Sequence, residues 1–220
     1  MNTLEAMQSR HAVRSFKNQK IDSDTIAALN NEIDRCNKES GLHIQLITEE
    51  PEAFNSFLAH YGKFSNCNNY FAIVGRKGNE EAAGYYGEQL VLKAQELGLN
   101  TCWVVLTYKK NKKRIQIDNG EKIIIVIALG YGTTQGIPHK SKDMAQLCTC
   151  KADMPAWFRN GMEAAMLAPT ALNQQKFMIE LTDDQAVSAK ALSGMNTVLD
   201  LGIVKYHFEI GAGVNTFKWL

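Results

Sequence analysis

The sequence predicts a protein of mixed helices and strands, and three observations predict it. Apolar residues recur at helical spacing, as in Ile26, Leu29, Ile33 and Cys36. Apolar runs of strand length occur at residues 70–75, 101–106 and 123–129. A helix, a polar loop and a strand follow one another between residues 154 and 181.

In chain order, Asn2 and Glu5 have the spacing of a capping box for a short helix carrying Leu4 and Met7. Residues 10–16 read Arg-His-Ala-Val-Arg-Ser-Phe. Whether helix or turn, this stretch lets Arg10 and Arg14 converge. Such a pair suits a phosphate, because guanidinium is planar, bidentate and always charged. Two solvated arginines are the plainer reading.

Asp22 or Ser23 then caps the Ile26–Cys36 stripe, and a polar break leads to a strand at residues 42–48. Phe54, Phe57, Leu58 and Tyr61 mark a short amphipathic helix. Residues 70–75 form a strand buried on both faces. A helix over residues 80–97 turns Ala83, Tyr86, Leu90, Ala94 and Leu97 inward and stops at Gly98. Residues 101–106 and 123–129 read as further central strands.

Asp153 is expected to cap the next helix, with Trp157, Phe158, Gly161, Met162, Ala165 and Met166 on one face. Its stop falls at Ala168, because a proline disfavours the α conformation of the residue before it. The loop from Thr170 to Gln175 offers hydroxyl and amide groups that both give and accept hydrogen bonds, as a neutral heterocycle requires. An ordinary helix-to-strand connection is the alternative. Phe177, Ile179 and Leu181 alternate as a strand. One or two helices after Asp184 and a last strand at residues 205–210 complete the reading.

Residues 21–50 and 155–184 match as helix, loop and strand. If the repeat is real, the chain carries one complete unit and a partial second copy, related by a pseudo-twofold axis.

A net charge of +1 argues against a dedicated nucleic-acid binder or a membrane-surface protein. No apolar run reaches the roughly 18 residues of a membrane helix, and no signal-type N-terminus is visible, so a cytoplasmic location is expected. The run Lys109, Lys110, Asn111, Lys112, Lys113, Arg114 lacks interleaved aromatics and reads as a solvated connection. Five scattered cysteines read as reduced thiols. The histidines have no ligand-type spacing, and Gly-Lys-Ser, HExxH and Gly-x-Ser-x-Gly motifs are missing, so neither a metal centre nor a serine hydrolase is expected. Gly130, Gly132 and Gly136 follow a strand, but no apolar helix comes next, so the dinucleotide-turn reading fails. What remains is a glycine-containing loop delivering Lys140 and Lys142, either half of a phosphate site or a solvated basic loop.

Together these segments resemble the nitroreductase family of FMN-dependent oxidoreductases, within it a branch whose flavin loop falls late in the chain. The resemblance rests on residues 10–16, 98–103 (Gly-Leu-Asn-Thr-Cys-Trp), 129–132 (Leu-Gly-Tyr-Gly), 139–142 (His-Lys-Ser-Lys), 169–175 (Pro-Thr-Ala-Leu-Asn-Gln-Gln) and 200–203 (Asp-Leu-Gly-Ile). It implies an α+β fold, a mixed and mostly antiparallel sheet flanked by helices. Residues 1–150 would be the flavin-binding unit and residues 151–220 the partial second copy completing it, a single-chain pseudo-dimer.

By the same resemblance Arg10, His11 and Arg14 hold the FMN phosphate and pyrimidine edge. Pro169, Thr170, Ala171 and Asn173 touch the ring. Val104, Val105 and Leu106 bring backbone N–H groups towards flavin N5, and Lys140 and Lys142 complete the phosphate site. The loop would supply within one chain what a partner subunit normally supplies. Three departures from the family pattern stand out: Ala12 replaces a serine, Lys176-Phe177 replaces Pro-Trp, and Val104-Val105-Leu106 replaces a glycine-containing stretch.

The implied activity passes hydride from NAD(P)H to FMN and then electrons to a small planar acceptor, nitroaromatic or quinone-like, with Arg14 as the catalytic residue. No nucleic acid, metal or membrane is called for, and the assembly is a monomer or homodimer. The alternatives are a flavin-binding sensor or carrier without turnover, motivated by Val104-Val105-Leu106, and an interaction module using the lysine run.

Overall fold

The computed structural model describes residues 1–55, 62–109, 113–150, 153–183 and 185–220. The chain divides into two compact units, Met1–Asn79 with Gln89–Pro138, and Glu80–Glu88 with His139–Leu220. Phe57, Leu58, Tyr61, Lys110, Asn111 and Lys112 lie outside the described residues.

The first unit is built on an antiparallel sheet in the order β1-β2-β4-β3. The strands are β1 (His43–Ile47), β2 (Asn69–Gly75), β3 (Asn100–Val104) and β4 (Lys122–Gly130). Every residue of β2 is buried, as its unbroken apolar run requires. Helix α1 (Thr3–Ser9) starts in the expected capping box, Asn2 and Glu5 each accepting the other's backbone N–H. It buries Ala6 and Met7, whereas Leu4 is exposed. Helix α2 (Ser23–Ser40) is capped by Asp22, buries Leu29, Ile33 and Cys36, and ends at Gly41 with φ of 69°.

One expectation is corrected here. β3 lies at the edge of the sheet. Its sequence reads as central because the chain itself covers the open edge: Ala12 bridges to Thr101 in parallel on the side away from β4.

The second unit contains the first part of α3 (Glu80–Glu96), then α4 (Ala156–Ala165) and α5 (Thr197–Ala212). Its sheet has the order β5-β6-β7-β8, from β5 (Cys148–Cys150), β6 (Phe177–Asp183), β7 (Ala186–Ala191) and β8 (Lys218–Trp219). The central β6–β7 pair is antiparallel and the outer pairs are parallel. A Cβ added at Gly84 would run into the Leu199 carbonyl, and one at Gly202 into that of Glu81. These two glycines therefore let α3 and α5 approach backbone to backbone.

Three further expectations are corrected in this unit. Asp153 does not cap α4. The N-cap is Pro155, extended at φ −67°, ψ 153°, with no side-chain bond. Its ring presets φ and it has no N–H to leave unpaired. Residues 205–210 are helix, not strand. Because α5 is buried nearly all round, its apolar residues carry no clear period. Residues 186–191, expected to be helical, form β7, where pairing with β6 outweighs alanine's helical preference. Of the two segments matched in sequence, one supplies an edge strand, β1, and the other an inner strand, β6.

Candidate functional site

The arginine segment begins where α1 ends. Arg10 is the C-cap of α1, with ψ of 116°, so the chain leaves the helix at the first cation. It then runs extended, sewn on both sides. Val13 N–H donates to the Thr101 carbonyl at 3.0 Å. Ser65 N–H donates to the Arg14 carbonyl, and Phe16 N–H to the Ser65 carbonyl, both at 3.0 Å. Ala12, Val13 and Arg14 alternate exposed, buried and exposed as a strand does, and Phe16, out of step with that alternation, is buried again. Arg10 is buried. Both guanidinium charges act on the buried Cys102 thiol, opposing the rise in pKa that burial causes.

The glycine loop holds this segment through backbone bonds. Lys17 N–H donates to the Tyr131 carbonyl at 2.7 Å and Thr133 N–H to the Ser15 carbonyl at 2.9 Å. Gly132 N–H donates to Asn100 Oδ1 at 3.0 Å. Gly136 has φ of 74°, and a Cβ there would sit 2.7 Å from the Cβ of His11. Its place is thus set by the close approach of His11, a signal that spacing alone does not carry. Beyond β3, Val104 is buried, Val105 is half-buried and Leu106 is 71% exposed as the chain bends.

In the second unit, the segments containing Lys140, Lys142 and residues 169–175 come together. Asn173 Nδ2 donates to the Lys140 carbonyl at 2.9 Å, and Gln175 Nε2 does so at 2.8 Å. Lys142 N–H donates to Gln175 Oε1 at 2.9 Å, and its ammonium reaches the carbonyls of Gln174 and Gln175 at 2.8 and 3.1 Å. His139 Nε2 lies 3.0 Å from the Met166 carbonyl. Inside the loop, Thr170 Oγ1 accepts the Gln175 N–H at 3.0 Å, and Asn173 Oδ1 accepts from Gln175 Nε2 at 3.0 Å. The hydroxyl and amide groups read as ligand contacts therefore hold the loop itself, and Lys142 clamps it. The exposed Lys140 ammonium and the 86% exposed Leu172 side chain face outward.

The turn Ala171–Asn173 has left-handed backbone at Leu172 and Asn173, with Gln175 close behind, at φ of 52°, 53° and 46°. For non-glycine residues such geometry costs energy and persists only where the surroundings enforce it. Asp200 on α5 is one enforcer. Both its carboxylate oxygens accept the Ala171 N–H, at 3.0 and 3.1 Å, and Oδ2 accepts from Gln174 Nε2 at 3.2 Å. Burial raises its pKa to about 6, against the lowering effect of those donors. Sequence reasoning counted Gln174 among the loop's amides and Asp200 in a motif of the resemblance, but did not pair the two. The signal was available: an acid within a run of apolar residues on a helix needs a partner.

His43, Asp118 and Glu121 in the first unit bring three ligand-type atoms within 4.8 Å of one another, which sequence spacing did not anticipate. His43 Nδ1 and Glu121 Oε2 are already hydrogen-bonded at 3.1 Å. No helix among the described residues is long and apolar enough to cross a membrane.

The family described as Putative TM nitroreductase matches residues 2–212. A Thermotoga maritima protein described as a putative nitroreductase superposes with a TM-score of 0.63 at 22% identity, over 96% of this chain and 83% of that one. A Desulfovibrio desulfuricans putative nitroreductase, solved in complex with FMN, gives 0.53 at 14% identity, over 67% and 95% of the two chains. A Parabacteroides distasonis protein described as a putative NADH dehydrogenase/NAD(P)H nitroreductase gives 0.51 at 17% identity, over 67% and 97%. No curated protein matches the sequence. The α+β architecture is that of the nitroreductase fold.

Proposed function

The chain belongs to the family described as Putative TM nitroreductase, and from that premise we propose that it is an FMN-dependent oxidoreductase taking hydride from NAD(P)H. The observation that carries the reading is the arginine segment, an extended stretch pinned between Thr101 and Ser65 that starts at Arg10 and presents Arg14 to solvent. Fixed cations along one rigid segment suit FMN, which carries a phosphate dianion at one end and gains negative charge on its pyrimidine edge when reduced. The Desulfovibrio relative crystallised with FMN agrees with that choice.

FMN, when bound, supplies hydride acceptance and electron delivery to a small planar acceptor such as a nitroaromatic or quinone. Arg10 and His11 would hold the phosphate side. Arg14, exposed and in register on the strand, would lie at the pyrimidine edge and favour the negative charge of reduced flavin by fixed electrostatics. Val104, Val105 and Leu106 would border the ring, with Leu106 setting how much room an acceptor finds. Lys140 would add charge to the phosphate. Pro169, Thr170, Ala171 and Asn173 would act as a rigid platform rather than as hydrogen-bonding fingers, because their polar atoms are engaged within the loop.

Reconstitution with FMN followed by anaerobic addition of NADH or NADPH tests the reading. Loss of the oxidised-flavin band, and its return on adding a quinone or nitroaromatic, is the expected result. A bound flavin that neither nicotinamide bleaches would instead mark a sensor or carrier.

A further inference from the structure

We propose that Asp200 is a positioning residue for the flavin platform, holding the Ala171–Asn173 turn in its left-handed form by gripping the Ala171 N–H and the Gln174 amide. The proposal deepens the flavin reading and rests on it. Its geometry is specific. The carboxylate, 4% exposed, spends both oxygens on one backbone N–H, and one of them also accepts from Gln174. Gln174 Nε2 in turn donates to the Met195 carbonyl at 2.6 Å, tying the loop to the start of α5. Without an acceptor here, the half-buried Ala171 N–H would lose its partner, and nothing in the local sequence favours positive φ at Leu172.

The charged groups on neighbouring elements are engaged elsewhere. Lys205 pairs with Glu81 at 2.6 Å and His207 with Glu88 at 2.9 Å. Lys142 bonds loop carbonyls, and Lys176 bonds the Ser193 carbonyl at 2.8 Å. Lys140 is exposed, and His139 lies against the Met166 carbonyl. The Asp200 carboxylate thus answers chiefly to its two donors and to its own burial, which places its titration near pH 6. Once protonated it becomes a donor on one oxygen and can no longer accept at both.

The test is hydrogen–deuterium exchange over residues 169–176, with intrinsic rates corrected for pH, beside FMN affinity measured on the same full-length samples. For wild type, protection of the Ala171 amide should fall as pH drops from 7.5 to 5, which needs no variant and so does not depend on one folding. In Asp200→Asn, protection should fall roughly tenfold at pH 7.5, the scale of a lost charge-assisted hydrogen bond. It should also become flat with pH, and FMN affinity should drop with it. Because the FMN phosphate itself titrates near pH 6, the difference between wild type and variant is the quantity read. Protection that ignores both pH and substitution overturns the proposal. So does lost protection with unchanged FMN affinity, which leaves the flavin reading standing. A wild type that takes up no FMN overturns the flavin reading, and with it the platform role, whatever the exchange data show.

Discussion

Val13 donates its backbone N–H to the Thr101 carbonyl at 3.0 Å, and this one bond fixes which way the arginine segment faces. With Val13 turned into the core, the alternation of an extended chain leaves Arg14 outside. The segment also closes the open edge of β3, so the proposed binding strand and an edge cover are the same piece of chain.

Arg14→Ala should weaken FMN binding roughly ten- to hundredfold, the range for a lost hydrogen bond to a charged group. The fold should be undisturbed, since the side chain is exposed. Flavin reduction should slow as well. Fluorescence titration and anaerobic stopped-flow absorbance check the two effects, and unchanged values in both would remove Arg14 from the site.

Gly136→Ala should displace the arginine segment without touching a ligand. The new Cβ would meet His11 at 2.7 Å and occupy a φ of 74°. The expected loss of stability is about 1–3 kcal/mol, read by chemical denaturation, accompanied by weaker FMN binding. A variant as stable as wild type would show that the loop can yield at no cost.

His207 and Glu88 are both fully buried and 2.9 Å apart, with His207 Nδ1 against the Ala164 carbonyl at 3.1 Å. Removing one partner takes away a hydrogen bond between fully buried groups, so His207→Leu should cost about 1–3 kcal/mol. The double replacement by leucines should cost less than the two single changes together. A double-mutant cycle by denaturation measures this, and strict additivity would mean that the pair is not coupled.

Asp200 gives global stability a pH dependence of definite sign, opposite to that of the local Ala171 contact, because unfolding hydrates the carboxylate whereas losing its donors in place leaves it buried. Its folded-state pKa, about 6, lies above the usual carboxylate range, so its favourable contribution is present below that range and is lost as pH rises through 6. The melting temperature of wild type relative to Asp200→Asn should therefore fall between pH 4 and 6.5 and level off above. A constant difference across that window would contradict the assignment.

Much of the fold is legible in the sequence where local and tertiary demands agree. The Asn2–Glu5 box, the Asp22 cap and the buried run of β2 are such places. Legibility fails where burial removes the periodic signal, as in α5, or where a partner strand overrules propensity, as in β7. At the candidate site, residue types pointed to the arginine pair and the polar loop. What they could not convey was direction. Asn173 and Thr170 spend hydrogen bonds on holding the loop, and Gly136 admits the close approach of His11. Such assignments depend on left-handed residues at Leu172, Asn173 and Gln175, whose side chains carry no glycine-like signature.

The most direct test of the central claim is flavin stoichiometry: the purified full-length chain is saturated with FMN, freed of excess, and its flavin absorbance compared with protein concentration. One FMN per chain, with binding weakened by Arg14→Ala, is the result predicted here. No retained flavin, or two per chain, would contradict it.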